Sequence, residues 1–268
     1  MRLQNKVAMV IGASRGSGKQ IALELAREGA DVVVAARTER PGQTNLSGSI
    51  SQTAKEIEAI GRRALPVKVD LAIGREIDAL FEQAVAAFGG IDILVHSVQY
   101  MGPGYRTPFL ETAVDDWEAQ LKVNLLSAMH ATKLATPIMS ARGGGKVILI
   151  SSAAAWKNNA NLPGDGSTGV AYPVTKAGLN RFVSFVTKEL VPHNVSIVAV
   201  DPGFTLAEHV TETAVDGAYH GWDLKEAHGM EVPAQAVRYL CASADLKALS
   251  GQAIVAKELV AERGLLPA

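Results

Sequence analysis

The feature that most constrains the fold is an apolar run that leads directly into a glycine-rich turn and then into a helical pattern. Residues 7–11 read Val-Ala-Met-Val-Ile, which is the composition of a fully buried parallel strand. The turn at residues 12–18 follows, and apolar residues then recur at helical spacing until Gly29. Because glycines allow close backbone approach and a helix N-terminus attracts anions, this order of elements predicts a site for a dinucleotide pyrophosphate. The simpler alternative is an ordinary turn between a strand and a helix.

The rest of the chain repeats the alternation of apolar runs and helical patterns. Further strands are expected at residues 31–37, 65–69, 91–95, 146–150, 196–200 and 252–255. Helices are expected at residues 54–60, 75–88, 115–141 and 172–190, with a last helix before the turn at Ser250 and Gly251. Residues 38–53 are polar and read as a long surface loop. Because the composition does not change along the chain and no internal repeat is visible, we expect one α/β domain over residues 1–268, with a doubly wound parallel sheet.

Charge and cysteine content exclude several classes of function. The formal net charge is −1 and no block of like charge occurs, which argues against nucleic-acid and membrane-surface partners. The single cysteine, Cys241, excludes an internal disulfide, and its apolar helical surroundings indicate a buried small hydrophobe. With no signal-like N-terminus and no apolar run near 20 residues, we expect a cytoplasmic protein.

The end of the second expected strand bears on cofactor choice. In a dinucleotide fold this end faces the adenine ribose, where an acidic residue would bind the free 2′-hydroxyl. Here the strand ends at Arg37, and Arg15 in the glycine turn could approach the same place. Guanidinium groups bind phosphate bidentately, so the pair favours NADP(H), while NAD(H) stays possible. Asp70 follows the third strand and could accept from an adenine amino group or cap the next helix.

Tyr172 and Lys176 are the strongest candidates for chemistry. They are four residues apart and therefore share one face of the expected helix. A free phenol has a pKa of about 10, and a nearby ammonium would lower that pKa towards the range useful for general acid-base catalysis. The alternative is a surface tyrosine and lysine that share a helix face. Asn124 is the other unusual polar residue, because apolar residues flank it on both sides and a buried amide must find a hydrogen-bond partner.

Taken together, these motifs resemble the short-chain dehydrogenase/reductase family over nearly the whole chain. Gly12, Gly16 and Gly18 match its GxxxGxG turn, and Asp70 matches its adenine-contacting aspartate. The family's catalytic tetrad is matched in order by Asn124, Ser152, Tyr172 and Lys176, and its nicotinamide segment by Pro202, Gly203 and Thr205. The resemblance implies a Rossmann fold, usually as a homodimer or homotetramer. It also implies a set of cofactor-binding residues: Gly12, Ser14, Arg15, Gly16, Gly18, Arg37, Asp70, Leu71, Asn124, Tyr172, Lys176, Pro202, Gly203 and Thr205.

The chain departs from the family pattern in four places. Ile11 replaces the usual threonine before the first glycine, and His96-Ser97-Val98 replaces the NAG motif after the fourth strand. Ser152 lies 20 residues before Tyr172, which indicates an insertion and leaves Ser151 as a weaker candidate for the same role. The usual VDGG-like ending is replaced by residues 255–258, Val-Ala-Lys-Glu.

The resemblance implies reversible hydride transfer between a nicotinamide and a small carbonyl or secondary alcohol substrate. Tyr172 would act as general acid or base, Lys176 would lower its pKa and bind the nicotinamide ribose, Ser152 would hold the substrate oxygen, and Asn124 would position a water relay. One alternative is epimerisation or dehydration of an activated sugar, which the short chain disfavours. Another is a regulatory protein that binds the cofactor without turnover, for which the altered turn at residues 96–98 is the best support.

Residues 204–230 are expected to form a lid over the substrate, and their aromatic and methionine residues suggest an apolar or aromatic ligand. Three histidines in this segment, His209, His220 and His228, have spacings that match no compact metal-ligand pattern. We therefore expect no metal site.

Overall fold

A computed structural model describes residues 1–158, 168–207 and 227–266. Within these residues seven parallel strands form one sheet with the order β3-β2-β1-β4-β5-β6-β7. The strands are β1 Val7–Ile11, β2 Asp31–Ala36, β3 Ala64–Lys68, β4 Ile93–His96, β5 Gly145–Ile150, β6 Val195–Asp201 and β7 Ala253–Val255. The expected doubly wound parallel sheet, a Rossmann fold in a single domain, is confirmed.

Helices connect the strands and cover both faces of the sheet. They are α1 Gly16–Arg27, α2 Ile50–Ala59, α3 Gly74–Phe88, α4 Val114–Gln120, α5 Ser127–Ala141, α6 Ala171–Leu190, α7 Glu231–Ala242, α8 Asp245–Leu249 and α9 Ala256–Arg263. Short 3₁₀ turns lie at Phe109–Glu111, Ala153–Ala155 and Val191–His193. No helix among the described residues is both long enough and apolar enough to cross a membrane.

Alternation along β1 shows how the two layers are built. The side chains of Ala8 and Val10 pack in the cluster that contains α1 and α7, whereas those of Met9 and Ile11 pack in the cluster that contains α3 and α5. Successive strand residues point to opposite faces, so a strand buried on both faces must be apolar throughout. This is why residues 7–11 read as an uninterrupted apolar run.

Three differences from the expected elements stand out. Helix α2 begins at Ile50 rather than residue 54, because the Ser49 hydroxyl accepts a hydrogen bond from the Gln52 amide and caps the helix. The chain continues after β7 as helix α9, which the sequence pattern did not predict. The expected helix over residues 115–141 consists of α4, a π-helical segment at Leu121–Leu126 and α5. A π-helical segment of this kind is rare and frequently occurs at functional sites.

The strand order reverses beside β1. The chain runs outwards from β1 through β2 to β3 and then crosses to β4, so Ile11 at the end of β1 pairs with Ala35 on one side and His96 on the other. In open sheets of this kind ligands bind in the crevice outside the carboxyl ends of the strands at this reversal point.

Candidate active site

A cavity of about 1090 Å³ lies at the carboxyl edge of the sheet. Its walls contain every residue expected from the sequence to bind cofactor or to act in catalysis, except Asn124. The lining residues among that set are Gly12, Ser14, Arg15, Gly16, Gly18, Arg37, Asp70, Leu71, Ser152, Tyr172, Lys176, Pro202, Gly203 and Thr205. Residues from five strand ends therefore meet at one place, as the parallel sheet requires.

The glycine turn connects β1 to α1 at one end of this cavity. Gly12 has a φ of +90°, and a methyl group at this position would also collide with the carbonyl oxygen of Ser97. A methyl group at Gly18 would collide with the carbonyl oxygen of Gly12, so the first turn of the helix packs directly on the strand end. The side chain of the N-cap residue, Arg15, makes no capping hydrogen bond to α1, and the first turn of the helix contains no acidic residue. These features suit a bound anion.

Arg15 holds the loop that precedes α2. Its Nε donates to the carbonyl oxygen of Ser47 at 2.7 Å, and its Nη2 donates to the Thr44 hydroxyl at 3.1 Å and to the Gly48 carbonyl oxygen at 3.1 Å. The Thr38 hydroxyl and the Leu46 carbonyl oxygen lie within 3.3 and 3.4 Å of the same nitrogen. The Arg15 guanidinium therefore donates hydrogen bonds to oxygens of residues 38–48, and its position in the glycine turn did not predict these contacts.

Arg37 and Asp70 lie at the ends of β2 and β3. The Arg37 side chain is exposed on the cavity wall. Asp70 is half-buried; its Oδ1 accepts from the Ala72 amide at 3.0 Å, and the Glu76 carboxylate accepts from the Asp70 amide at 2.8 Å. Asp70 does not cap α3, whose N-cap residue is Ile73; its carboxylate instead closes a local turn with Ala72 before the helix, and the residue lines the cavity.

Tyr172 and Ser152 form the inner part of the cavity. Tyr172 is 9 % exposed, and its ring meets that of Tyr105 edge to face with centroids 5.5 Å apart. Burial raises the pKa of Tyr172 to about 12; the Ser152 hydroxyl acts in the opposite direction by hydrogen bonding, and the charge of Asp201 adds to the increase. The neighbouring Ser151 hydroxyl instead points to the Lys176 carbonyl oxygen at 3.4 Å. Ser152 is therefore the serine that faces the phenol.

Lys176 is 2 % exposed, and its ammonium is held by backbone carbonyls. Its Nζ donates to the Ile150 carbonyl oxygen at 2.8 Å and to the Val98 carbonyl oxygen at 3.1 Å, and it lies 5.8 Å from the centroid of the Tyr172 ring. Burial lowers the pKa of Lys176 to about 7, and the Asp201 carboxylate opposes this change. Ile150 is the last residue of β5 and Val98 lies two residues beyond β4, so the end of one strand and the turn after another set the position of the ammonium.

The expectation that Lys176 lowers the pKa of Tyr172 is wrong for the protein by itself. The pKa of Tyr172 is raised, and burial is the largest cause. The physical reason is that burial disfavours the charged phenolate, and the negative charge of Asp201 adds to this effect.

Asn124 lies behind the cavity in the π-helical segment and is completely buried. Its Oδ1 accepts from the Tyr100 amide at 2.7 Å, and its Nδ2 donates to the Thr175 hydroxyl at 3.3 Å. Thr175 in turn donates to the Tyr172 carbonyl oxygen at 2.7 Å. The side chain thus joins the chain after β4 to the helix that carries Tyr172. Asn124 does not line the cavity, so its expected role in cofactor binding stays a prediction.

The segment after β6 also lines the cavity, and its Met230 sulfur accepts from the Ser17 hydroxyl of the glycine turn at 3.4 Å. Thr205 and His228 form a parallel bridge, with the His228 amide donating to the Phe204 carbonyl oxygen at 3.0 Å. The His228 ring packs against Gly203 and lines the cavity, although the sequence pattern identified it only as a loop residue. Residues 208–226 of the expected lid, with His209 and His220, lie outside the described residues. The part of the chain that is described contains no group of three His, Cys, Asp or Glu side chains suited to a metal ion.

Comparison with known proteins identifies the family. A model of the short chain dehydrogenase family matches residues 6–216. The chain belongs to the short-chain dehydrogenase/reductase family. It is therefore an oxidoreductase of this type, and the match covers the glycine turn, the tetrad positions and the segment after β6.

Similar proteins act on different substrates. The chain is 34 % identical to a 3-oxoacyl-[acyl-carrier-protein] reductase of Synechocystis sp. over 210 residues, which cover 78 % of each chain. It is 28 % identical to L-sorbose reductase of Gluconobacter frateurii, solved with NADPH and L-sorbose, with a TM-score of 0.81 over 95 % of this chain and 97 % of that one. It is 26 % identical to a 7α-hydroxysteroid dehydrogenase solved with NADH and 7-oxo glycochenodeoxycholic acid, with a TM-score of 0.77 over 95 % and 93 % of the two chains.

Proposed function

We propose that this enzyme transfers hydride reversibly between NADP(H) and a small carbonyl or secondary alcohol substrate. The observation that carries the proposal is the arrangement of Ser152, Tyr172 and Lys176 at the inner end of a cavity that begins at the glycine turn. Family members differ in substrate and in cofactor, so both assignments rest on the side chains of this chain. The nicotinamide would supply the hydride chemistry when bound, and the protein would supply orientation and proton transfer.

The residues present fit a dinucleotide. The close packing at Gly12 and Gly18 brings the N-terminus of α1 to the cavity, and the first turn of this helix contains no acidic residue that would repel a pyrophosphate. At the adenine-ribose end Arg37 is exposed, and β2 ends without a carboxylate at residues 35–38. A cationic group without an acidic neighbour favours the 2′-phosphate over a free 2′-hydroxyl, which supports NADP(H) over NAD(H). Asp70 and Leu71 would border the adenine, and Pro202, Gly203 and Thr205 would border the nicotinamide.

The catalytic roles follow from the contacts. Burial raises the pKa of Tyr172 to about 12, so its side chain is a protonated phenol at neutral pH and can donate a proton to a carbonyl oxygen. The Ser152 hydroxyl lies beside it and would hold the same oxygen. Lys176 is anchored by the Val98 and Ile150 carbonyls, which leaves its remaining proton for the nicotinamide ribose.

The test is a Tyr172→Phe variant assayed against the wild-type enzyme with NADPH. We would screen L-sorbose, a 3-oxoacyl thioester and a 7-oxo bile acid, because similar proteins bear the names of these substrates. Loss of the proton donor is expected to lower kcat/KM by about 10²- to 10⁴-fold while the Kd for NADPH changes little. Full activity of the variant would refute the role of Tyr172. Binding of NADPH by the wild type without turnover of a broad carbonyl panel would favour a cofactor-binding regulator.

We also propose that the enzyme is a homodimer or homotetramer. Support comes from apolar side chains that stay exposed on neighbouring helical segments: Leu126, Met129, Val174 and Phe185. Exposed apolar groups on adjacent segments are typical of an interaction surface. Sedimentation of the purified protein would show a monomer if this proposal is wrong.

A further inference from the structure

His96 stands at the end of β4, where the family pattern has an asparagine, and its ring contacts the helix that carries Asn124. The ring is 1 % exposed. Its Nε2 lies 2.8 Å from the Ser127 hydroxyl oxygen, and Ser127 is the first residue of α5. The contact therefore joins the central strand of the sheet to the junction between the π-helical segment and α5.

The direction of this hydrogen bond follows from the proton count. The Ser127 hydroxyl has one proton, which it donates to the Val123 carbonyl oxygen at 2.7 Å. With its proton on the Val123 carbonyl, the Ser127 oxygen accepts from His96, and on this ground we assign the ring proton to Nε2. Burial and the charge of Lys176 lower the pKa of His96 to about 3, which keeps the ring neutral. In this tautomer Nδ1 is unprotonated, and it meets no hydrogen-bond partner among the described residues apart from the backbone of His96 itself.

The His96 contact is adjacent to the hydrogen bonds of Asn124. Val123, whose carbonyl receives the Ser127 proton, directly precedes Asn124 in the π-helical segment. That segment departs from α-helical geometry, so side-chain contacts from outside are needed to hold it in one register. Asn124 uses the resulting position to accept from the Tyr100 amide and to donate to Thr175 on the catalytic helix.

We propose that His96 is a positioning residue that holds the π-helical segment in place through its hydrogen bond to Ser127. In that position, Asn124 of the segment contacts the Tyr100 amide and the helix that carries Tyr172. The part of the inference that concerns catalysis rests on the proposed function, whereas the hydrogen-bond chain itself does not. The alternative is that the imidazole only fills the space that the asparagine of the family pattern would occupy. The two ideas differ in which ring nitrogen matters, because positioning requires the proton on Nε2.

Substitution of His96 by glutamine or by asparagine distinguishes the role of Nε2 from that of Nδ1. The side-chain amide of Gln places its NH₂ near the position of Nε2, whereas that of Asn reaches only to the position of Nδ1. His96→Gln should therefore preserve the bond to Ser127, and His96→Asn should lose it although Asn is the residue of the family pattern. Ser127→Ala removes the same bond and leaves the imidazole in place. Thr132→Val is the matched control, because the Thr132 hydroxyl is equally buried in α5 and donates to the carbonyl four residues earlier.

The measurement is hydrogen exchange of the Tyr100 amide by NMR, on the protein without cofactor. This proton is donated to Asn124 Oδ1, so its exchange reports whether Asn124 is in position. The exchange of the Leu94 amide in β4 serves as the reference for global stability. Relative to Leu94, we expect Tyr100 exchange to become about tenfold faster in His96→Asn and Ser127→Ala, the change expected from one lost buried hydrogen bond. Wild-type exchange is expected in His96→Gln and Thr132→Val.

Equal Tyr100 exchange in Ser127→Ala and the wild type would overturn the proposal, as would His96→Asn being better protected than His96→Gln. If a His96 variant does not fold, the comparison of Ser127→Ala with Thr132→Val decides the question alone. Because the experiment uses no cofactor and no substrate, its result is independent of whether the enzyme prefers NADPH or turns over a carbonyl. Failure of the proposed function would appear in the binding and turnover assays instead.

Discussion

The two arginines at the adenine-ribose end should respond differently to replacement. Arg37 is exposed at the end of β2, where a 2′-phosphate would lie. Arg15 donates from Nε and Nη2 to oxygens of residues 38–48 and so holds the loop on that side of the cavity. We expect Arg37→Ala to weaken NADPH binding selectively, and Arg15→Ala to weaken the binding of NADPH and NADH together.

The magnitudes follow from the interactions that each variant loses. A hydrogen bond to a charged group contributes about 1.5–3 kcal/mol, so Arg37→Ala should raise the Kd for NADPH by about 10- to 150-fold. NADH lacks the phosphate, so its Kd should stay within about twofold of the wild-type value. Arg15→Ala removes several neutral-acceptor bonds to the loop, and the cost of ordering that loop on binding should weaken both cofactors by about tenfold.

The assay is quenching of tryptophan fluorescence by NADPH and NADH, titrated side by side with the wild type and each variant. Arg15→Lys is the control, because lysine keeps the charge but cannot serve the same set of oxygens with a planar fork. If Arg15 held the phosphate by charge, Arg15→Lys would recover much of the NADPH affinity and Arg15→Ala would leave NADH binding intact. That pattern would refute the assignment of Arg15 to the loop.

Two further predictions concern stability and the glycine turn. Gly12→Ala should abolish cofactor binding and destabilise the fold, because Gly12 has φ +90° and faces the Ser97 carbonyl. The control is Gly61→Ala, which has φ +88° but open space around it and should lower the free energy of unfolding in urea by only about 1–2 kcal/mol while leaving binding unchanged. Normal cofactor affinity in Gly12→Ala would contradict this prediction. Asp92 is 5 % exposed and accepts hydrogen bonds from Arg142, Lys6 and the Val7 amide. These contacts outweigh the effect of burial and lower the pKa of its carboxyl group. Asp92→Asn should therefore lower the free energy of unfolding by about 3 kcal/mol at pH 7. Because the pKa of Asp92 is lowered in the folded state, the difference in the free energy of unfolding between wild type and Asp92→Asn is fully present above the ordinary carboxyl pKa. It disappears as the pH falls through the folded-state pKa. A difference that is unchanged at pH 3 would count against the ion pairs.

Much of the fold was predictable because it depends on local and periodic signals. The apolar runs of β1 and β2 and the glycine turn each specify an element without reference to the rest of the chain. Boundaries were less predictable where a single contact decides them, as at Ser49, whose hydroxyl starts α2 four residues early. Helix α9 was missed because it follows the last strand in a sequence that departs from the family ending.

The site divides in the same way. Sequence order was enough to bring Ser152, Tyr172 and Lys176 to one cavity, because parallel strands place their carboxyl ends at one edge of the sheet. The partners of these side chains were not predictable. Lys176 is bound by the carbonyls of Val98 and Ile150, which are backbone groups that carry no residue-specific signal. Tyr105, which packs on Tyr172, lies in a stretch without motif character.

By itself the sequence determined the α/β alternation, the glycine turn and the residue types of the catalytic set, since these depend on periodicity and on chemistry at fixed spacing. Only the tertiary structure decided the protonation of that set and the contacts behind it. The pKa values of Tyr172 and Lys176 depend on burial, which is a property of the packed molecule. The chain of contacts from His96 through Ser127 to the π-helical segment joins residues about 30 positions apart, and only packing of the sheet against the helix brings them within hydrogen-bond distance.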